Sequence, residues 1–244
     1  MKSLKELFRI GKGPSSSHTM GPQKAAQLYA ERCPKASAYE VTLYGSLAAT
    51  GKGHMTDVAI EEVLKPLAPV QIKWEPHIFL PFHPNGMKFS ALDNRHNIED
   101  EWMVYSIGGG ALSEGKAKGD MFDTCDTYAL NTLSEIMQWC YDNGRNYWEY
   151  VEMCEQGDIW DFLMIVWKAM KVAVVRGLDH EGVLPGPLKL PRKAATYYTK
   201  ANGYKASLLS RGLVYAYALA VSEENASGGI IVTAPTCGAC GVMP

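Results

Sequence analysis

The apolar residues change their spacing part-way along the chain, and that change limits the fold more than any single motif. Up to about residue 110 they fall into short strand-like runs separated by helical stretches. After residue 126 they recur at helical spacing. Tyr39-Glu40-Val41-Thr42-Leu43-Tyr44 alternates and is rich in β-branched and aromatic residues, as a half-buried strand requires. Val70–Trp74 and Trp102–Ile107 read as further strands, the latter ended by Gly108-Gly109-Gly110. Ile78-Phe79-Leu80 and Met87-Lys88-Phe89 flank Pro84-Asn85-Gly86, and Asn-Gly predicts a hairpin there. Between the strands, one helix runs from Pro22 to before Pro34, with Thr19 or Gly21 as its cap. Another starts at Thr56 or Asp57 and stops before Pro66.

Residues 1–115 therefore form a small α/β domain, a mixed sheet with helices, and Ala111–Gly119 is its linker to the rest. Residues 120–244 form a mostly α-helical second domain. Helices are predicted from Asp126 or Thr127 to Tyr141, from Asn146 to Glu155, from Asp158 to Gly177 and from Ala206 to Glu223. In the third, Ile159, Phe162, Val166 and Met170 share a stripe, and Trp160 and Trp167 are expected to pack on neighbouring helices. Pro185, Pro187 and Pro191 make residues 182–192 an extended, stiff segment.

Bulk properties exclude several classes. A chain of 244 residues with a net charge of −2 gives no electrostatic case for nucleic acid or an anionic membrane. Its most apolar run, Ile159–Val175, is interrupted by Asp161, Lys168 and Lys171, which argues against a membrane span. Six irregularly spaced cysteines and a charged N-terminus without a signal-peptide core predict reduced thiols in the cytoplasm.

Gly13-Pro14-Ser15-Ser16-Ser17-His18-Thr19-Met20-Gly21-Pro22 concentrates hydroxyls, an imidazole and free N–H groups before a helix start. Such a loop suits a carboxylate or phosphate, and equally suits plain capping. His54 lies in the glycine-rich run Thr50-Gly51-Lys52-Gly53-His54, where its ring can meet a ligand and accept a proton. Lys52 can hold a carboxylate or simply be solvated. The run is not a P-loop, because Ser46 and Gly53 stand where that motif needs a glycine and a Ser or Thr. Cys237-Gly238-Ala239-Cys240 has a spacing that suits a metal, an iron–sulfur cluster or a redox pair, but two thiolates cannot complete a four-ligand cluster.

Six segments together resemble the bacterial iron–sulfur L-serine dehydratases. They are Gly13–Thr19 with Gly21-Pro22; Tyr44-Gly45-Ser46-Leu47 with Thr50–His54 and Thr56-Asp57; Asn85-Gly86-Met87; Tyr105–Gly110; Glu181–Leu188; and Asn225–Gly229 running into Thr233-Ala234-Pro235-Thr236. The resemblance implies an L-serine ammonia-lyase of amino-acid degradation and gluconeogenesis, which makes pyruvate and ammonia. His54 is then the general base that takes the α-proton. Ser15, Ser16, Ser17, His18, Thr19, Lys52, Asn85, Asn225 and Thr236 are implied as substrate-binding residues. An iron of a [4Fe–4S] cluster would act as Lewis acid on the serine hydroxyl.

The resemblance further implies that relatives continue past Pro244 and carry their cluster cysteines there. No metal ligand is assigned in this chain, which is read as a truncated form that holds no cluster and lacks activity alone. The implied enzyme is a cytoplasmic homodimer. The alternative reading is a non-catalytic serine-binding regulatory fragment.

Overall fold

The computed structural model describes residues 1–115 and 126–242. The predicted linker residues 116–119 and Cys125 lie outside the described residues. The chain opens with helix α1 (Leu4–Leu7) and strand β1 (Arg9–Lys12), then a wide turn at Ser16–Met20 that leads directly into α2 (Gly21–Arg32). Next come β2 (Ala38–Tyr44), α3 (Gly45–Thr50), a 3₁₀ turn at Gly51–His54, α4 (Thr56–Leu64), β3 (Val70–Glu75), β4 (Gly86–Leu92), β5 (Ile98–Gly108) and β6 (Ala111–Ser113).

Strands β2 to β6 form one five-stranded sheet in the order β3-β2-β4-β5-β6, parallel only between β2 and β3. The register explains its core. Val41 pairs with Phe89 and Phe89 with Trp102, while Leu43 pairs with Met87 and Met87 with Val104. Because side chains alternate across a strand, these residues share one face. Helices α2, α3 and α4 cover it with Ala25, Tyr29, Leu47, Ile60 and Leu64. The opposite face is polar, with Lys73–Glu40 and Lys88–Glu101 ion pairs at 2.7 and 2.8 Å, as one wet face of a mostly antiparallel sheet allows.

Two expectations fail in this half. Ile78–Leu80 is not a strand, and Phe79 is 67% exposed. Pro76, Pro81 and Pro84 remove N–H donors from that stretch, so β4 pairs with β2 and β5 instead. The first residues of the predicted linker are also ordered, as edge strand β6.

The second half is helical: α5 (Leu133–Asn143), α6 (Tyr147–Cys154), α7 (Ile159–Asp179), α8 (Ala194–Asn202) and α9 (Ala206–Ala226), followed by β7 (Ile230–Thr233) and a 3₁₀ turn at Cys237–Gly241. Helix α5 starts later than predicted because Thr132 and Glu135 form a reciprocal capping box. In α7 the buried stripe is Ile159, Val166, Met170, Ala173 and Gly177. Gly177 lets α7 approach α9 closely, since a Cβ there would sit 2.2 Å from the Ala220 carbonyl oxygen. Trp160 packs on α6 as expected, its ring centre 6.1 Å from that of Trp148 and its Nε1–H donating to Glu152 at 2.7 Å, whereas Trp167 lies nearly half exposed. Residues 182–192 do not run straight. Val183 bridges Pro191, and the Leu184 N–H donates to the Leu190 carbonyl at 2.8 Å. Among the described residues no helix is long and apolar enough to cross a membrane.

Contacts between the halves include a buried carboxylate and a strand pair. The buried Glu155 carboxylate accepts hydrogen bonds from Ser3 Oγ and the Leu4 N–H at 2.7 and 2.8 Å. Strand β1 pairs antiparallel with β7, Arg9 opposite Thr233 and Lys12 opposite Ile230.

Candidate active site

The serine-rich stretch is itself helical in form rather than a loop ahead of a helix. The Ser15 carbonyl accepts from both the Thr19 and Met20 N–H groups at 2.9 and 3.0 Å, widening the turn, and Ser15 Oγ accepts from the His18 N–H at 3.1 Å. The cap is therefore Ser15, not Thr19 or Gly21, because a hydroxyl at that position satisfies a donor that the turn leaves unpaired.

Two reciprocal hydrogen bonds join this turn to the Gly51–His54 turn. Thr19 Oγ1 donates to the His54 carbonyl at 2.7 Å, and Thr56 Oγ1 donates to the His18 carbonyl at 2.5 Å. Each histidine's backbone is thus held by a threonine from the other segment, and the two rings stand 4.8 Å apart. Between His54 and Thr56, Met55 adopts a left-handed backbone with φ 56°, a costly conformation for a side chain of this size.

His54 Nδ1 lies 3.0 Å from the Thr50 carbonyl oxygen. A carbonyl only accepts, so Nδ1 carries the hydrogen and the neutral ring keeps its lone pair on Nε2. His18 has hydroxyls on both sides, Ser17 Oγ at 2.9 Å from Nδ1 and Ser46 Oγ at 3.3 Å from Nε2. Burial, and then the neighbouring His54, hold the His18 pKa below its ordinary value, so this ring is neutral at pH 7.

The floor comes from the sheet. The Ser46 N–H donates to the Pro84 carbonyl at 3.0 Å, and Asn85 Nδ2 donates to the Ser106 carbonyl at 3.3 Å. Asn85 Oδ1 and Ser106 Oγ are buried without a protein partner. From the helical half, Asn225 Nδ2 donates to the Pro14 carbonyl at 3.4 Å, and Asn225 Oδ1 is likewise buried and unpartnered. Buried polar atoms without partners are uncommon and mark places where a ligand or water can bind.

Of the residues singled out in the sequence, the structure brings together Ser17, His18, Thr19 and His54. Asn85 reaches this group through Pro84 and Ser46, and Asn225 through Pro14. Lys52, in the same turn as His54, is exposed, with its ammonium 5.7 Å from the ring centre of Trp74. Thr236 is exposed at the start of the last 3₁₀ turn. Ser46, Thr56 and Ser106 lie in the family-like segments, but the sequence alone does not mark them as site residues. For Thr56 the available signal was a hydroxyl two residues after a candidate base.

Cys237 and Cys240 are buried among Ala173, Val221, Ile231 and Met20. Burial pushes the Cys237 thiol up to about 12, with Cys240 adding to it, and burial pushes Cys240 up to about 11. Both are neutral thiols at pH 7, and Cys237 Sγ rests 3.8 Å from Met20 Sδ. Among the described residues no three His, Cys, Asp or Glu side chains converge as a metal site. The donor set present does not fit an iron–sulfur cluster.

Comparison with known proteins decides the family. The profile described as "Serine dehydratase beta chain" matches residues 3–75 and 65–117. The L-serine dehydratase of Haemophilus influenzae (strain ATCC 51907 / DSM 11121 / KW20 / Rd) is 34% identical over 297 residues, spanning 100% of this chain and 65% of that protein. L-serine dehydratase TdcG of Escherichia coli (strain K12) is 32% identical over 295 residues, with the same shares covered. The chain belongs to the L-serine dehydratase family. The L-serine dehydratase of Streptomyces coelicolor (strain ATCC BAA-471 / A3(2) / M145) is also 32% identical, over 99% of this chain and 64% of its own length. This serine dehydratase chain thus spans a little under two thirds of the length of the curated relatives it matches.

Proposed function

We propose that the chain provides the substrate-binding and proton-abstracting part of an L-serine ammonia-lyase, with His54 Nε2 as the base. The observation that carries this reading is the Thr50 carbonyl on His54 Nδ1, at 3.0 Å, which leaves the lone pair on Nε2 of a ring whose centre stands 4.8 Å from that of His18 in the serine turn. The reaction removes the α-proton and the β-hydroxyl of serine. The 2-aminoacrylate left behind tautomerises to an imine, and water converts that to pyruvate and ammonia. The α-hydrogen is weakly acidic, so a base must be held close and aligned before transfer is productive. The Thr19–His54 and Thr56–His18 bonds provide that alignment by fixing both imidazole backbones.

The serine carboxylate is assigned to Ser15, Ser16 and Ser17, whose turn carries N–H groups and hydroxyls together. Thr19, whose hydroxyl proton is held by the His54 carbonyl and whose N–H is held by the Ser15 carbonyl, acts by positioning His54. His18, neutral at pH 7 and able to donate from one nitrogen, adds a hydrogen bond without a charge that would repel the substrate's ammonium. The carboxamide of Asn85 and that of Asn225 offer unpartnered acceptors for the ammonium. Only binding and proton removal are assigned to this chain, and departure of the hydroxyl is not assigned to any of its residues.

The test does not require complete turnover. Incubation with L-serine in heavy water, followed by proton NMR, reads loss of the α-proton signal directly. Exchange is expected with the unaltered chain and should fall ~10²-fold or more in His54→Gln, while serine binding by calorimetry persists. Binding with no exchange even in the unaltered chain would favour a non-catalytic serine-binding module and sink the assignment of His54.

A further inference from the structure

The turn at residues 225–229 of the helical half meets the segments that carry both histidines. The Gly13 N–H donates to the Gly229 carbonyl at 3.0 Å, just ahead of the serine turn. A Cβ on Gly228, where φ is 74°, would lie 3.3 Å from Met55 Sδ and 3.8 Å from the Gly13 carbonyl oxygen. Asn225 contacts the Pro14 carbonyl. Whatever fixes this turn therefore fixes the entry to the serine turn and the residue next to His54.

An ionic cluster built around the buried Glu224 fixes it at both ends. The carboxylate of Glu224, only 2% exposed, accepts from Arg176 Nε at 2.8 Å, and its other oxygen lies 2.6 Å from His180 Nδ1 and 3.3 Å from Arg192 Nη1. The two arginines each reach further. Arg176 Nη2 donates to the Ile230 carbonyl at 2.5 Å, beyond the far end of the turn, and Arg192 Nη2 donates to Ser227 Oγ at 2.6 Å, in its middle. The Glu224 carbonyl closes the loop by accepting from the Gly229 N–H at 2.8 Å. Burial alone would raise the Glu224 pKa, but hydrogen bonds from Arg176 and His180 outweigh it and keep the group ionised.

We infer that Glu224, Arg176 and Arg192 are positioning residues of the serine site: they staple the 225–229 turn so that Asn225, Gly13 and Met55 hold the serine turn and His54 in mutual register. The inference rests on the proposed serine-binding role of this site. It also gives residues 181–192 a function. The backbone of that folded-back segment presents Arg192 to Glu224, and Glu223 anchors the segment's exit by accepting the Lys193 N–H at 2.6 Å. A guanidinium is required at 176 and 192, because a lysine ammonium cannot donate to two acceptors in a fixed planar fork.

The test uses the full chain with three substitutions. Arg192→Lys keeps the charge but loses the fork, Ser227→Ala removes the Arg192–Ser227 bond together with the hydroxyl's own bond to the Glu223 carbonyl at 2.8 Å, and Glu224→Gln removes the central charge. Two readouts are taken below the melting temperature of each variant: hydrogen exchange at the Gly13 amide, and the dissociation constant for L-serine. Arg192→Lys should raise both the exchange rate and the dissociation constant ~10-fold, with Ser227→Ala changing them less and in the same direction. A merely structural role would lower the melting temperature and leave both readouts of the folded protein unmoved, which would overturn the inference. If Glu224→Gln fails to fold, the two milder variants still decide the matter. Failure of the unaltered chain to bind serine would instead refute the proposed function, and unchanged Gly13 exchange in the variants would then separately refute the staple.

Discussion

Gly13→Ala tests how tightly the two halves are joined at the serine turn. A Cβ built on Gly13 would lie 2.2 Å from Asn225 Oδ1 and 2.3 Å from the Asn225 carbonyl oxygen. The carboxamide can rotate away, but the carbonyl belongs to the stapled turn and accepts the Gly228 N–H at 3.2 Å. The new methyl therefore forces roughly 1 Å of backbone movement, an overpacking change that costs about 2–3 kcal/mol. For a chain of this size that corresponds to a fall of about 5–10 °C in melting temperature. The same displacement at Pro14 tilts the serine turn and should weaken serine binding ~10-fold or more. Calorimetric melting and serine titration measure both effects. Gly53→Ala is the internal control, since nothing lies within 4 Å of its added methyl. It should melt within about 1 °C of the unaltered chain, or slightly higher through a stiffer unfolded state. If Gly13→Ala matched Gly53→Ala in both measurements, the close contact between Gly13 and Asn225 would not exist in solution.

Two further predictions concern titration. The lowered His18 pKa means that the folded chain resists protonation there more than the unfolded chain does. Its contribution to stability is complete above the ordinary histidine value of 6.5 and is lost as pH falls below it. Urea unfolding at about pH 8 and about pH 5.5 should show a smaller difference in His18→Gln than in the unaltered chain, and an equal difference would refute the assignment. Cys237 and Cys240, pushed up to about 12 and 11 and buried, should resist a thiol-modifying reagent at neutral pH, whereas the half-buried Cys140 and Cys154 react first and Cys33, which burial and Asp100 also push up, follows them. Mass spectrometry of the labelled peptides identifies which thiols are modified, and early labelling at Cys237 would contradict the burial.

Much of the first half was legible because local signals and tertiary demands agree there. Tyr39, Val41 and Leu43 are buried at alternate positions as their spacing predicts, although Thr42 between them is buried too, and Thr56-Asp57 opens a helix that Pro66 stops. The strand expected at Ile78–Leu80 shows where apolarity misleads, since prolines on either side outweigh it. Strands β1 and β7 were not read at all. Each is four residues long, one carries Arg9 and Lys12, and each exists only because the other pairs with it. The site divides in the same way. His18 and His54 could be found as residue types, but the threonine bonds that join them link positions more than thirty residues apart. Glu223 and Glu224 look in sequence like the solvated end of a helix, and only the packing of α7 and the 182–192 segment shows that both are buried.

The pairing of β1 with β7 has a consequence for biosynthesis. The five-stranded sheet needs only residues up to Ser113 and can form while the rest of the chain is still on the ribosome. Arg9–Lys12 must wait for Ile230–Thr233 to be synthesised before they find a partner, and the large loop this closes makes the joining step slow. The register between the turn at Ser16–Met20 and the 225–229 turn is thus set after the sheet, so a nascent chain has a formed sheet well before its two halves meet at Gly13.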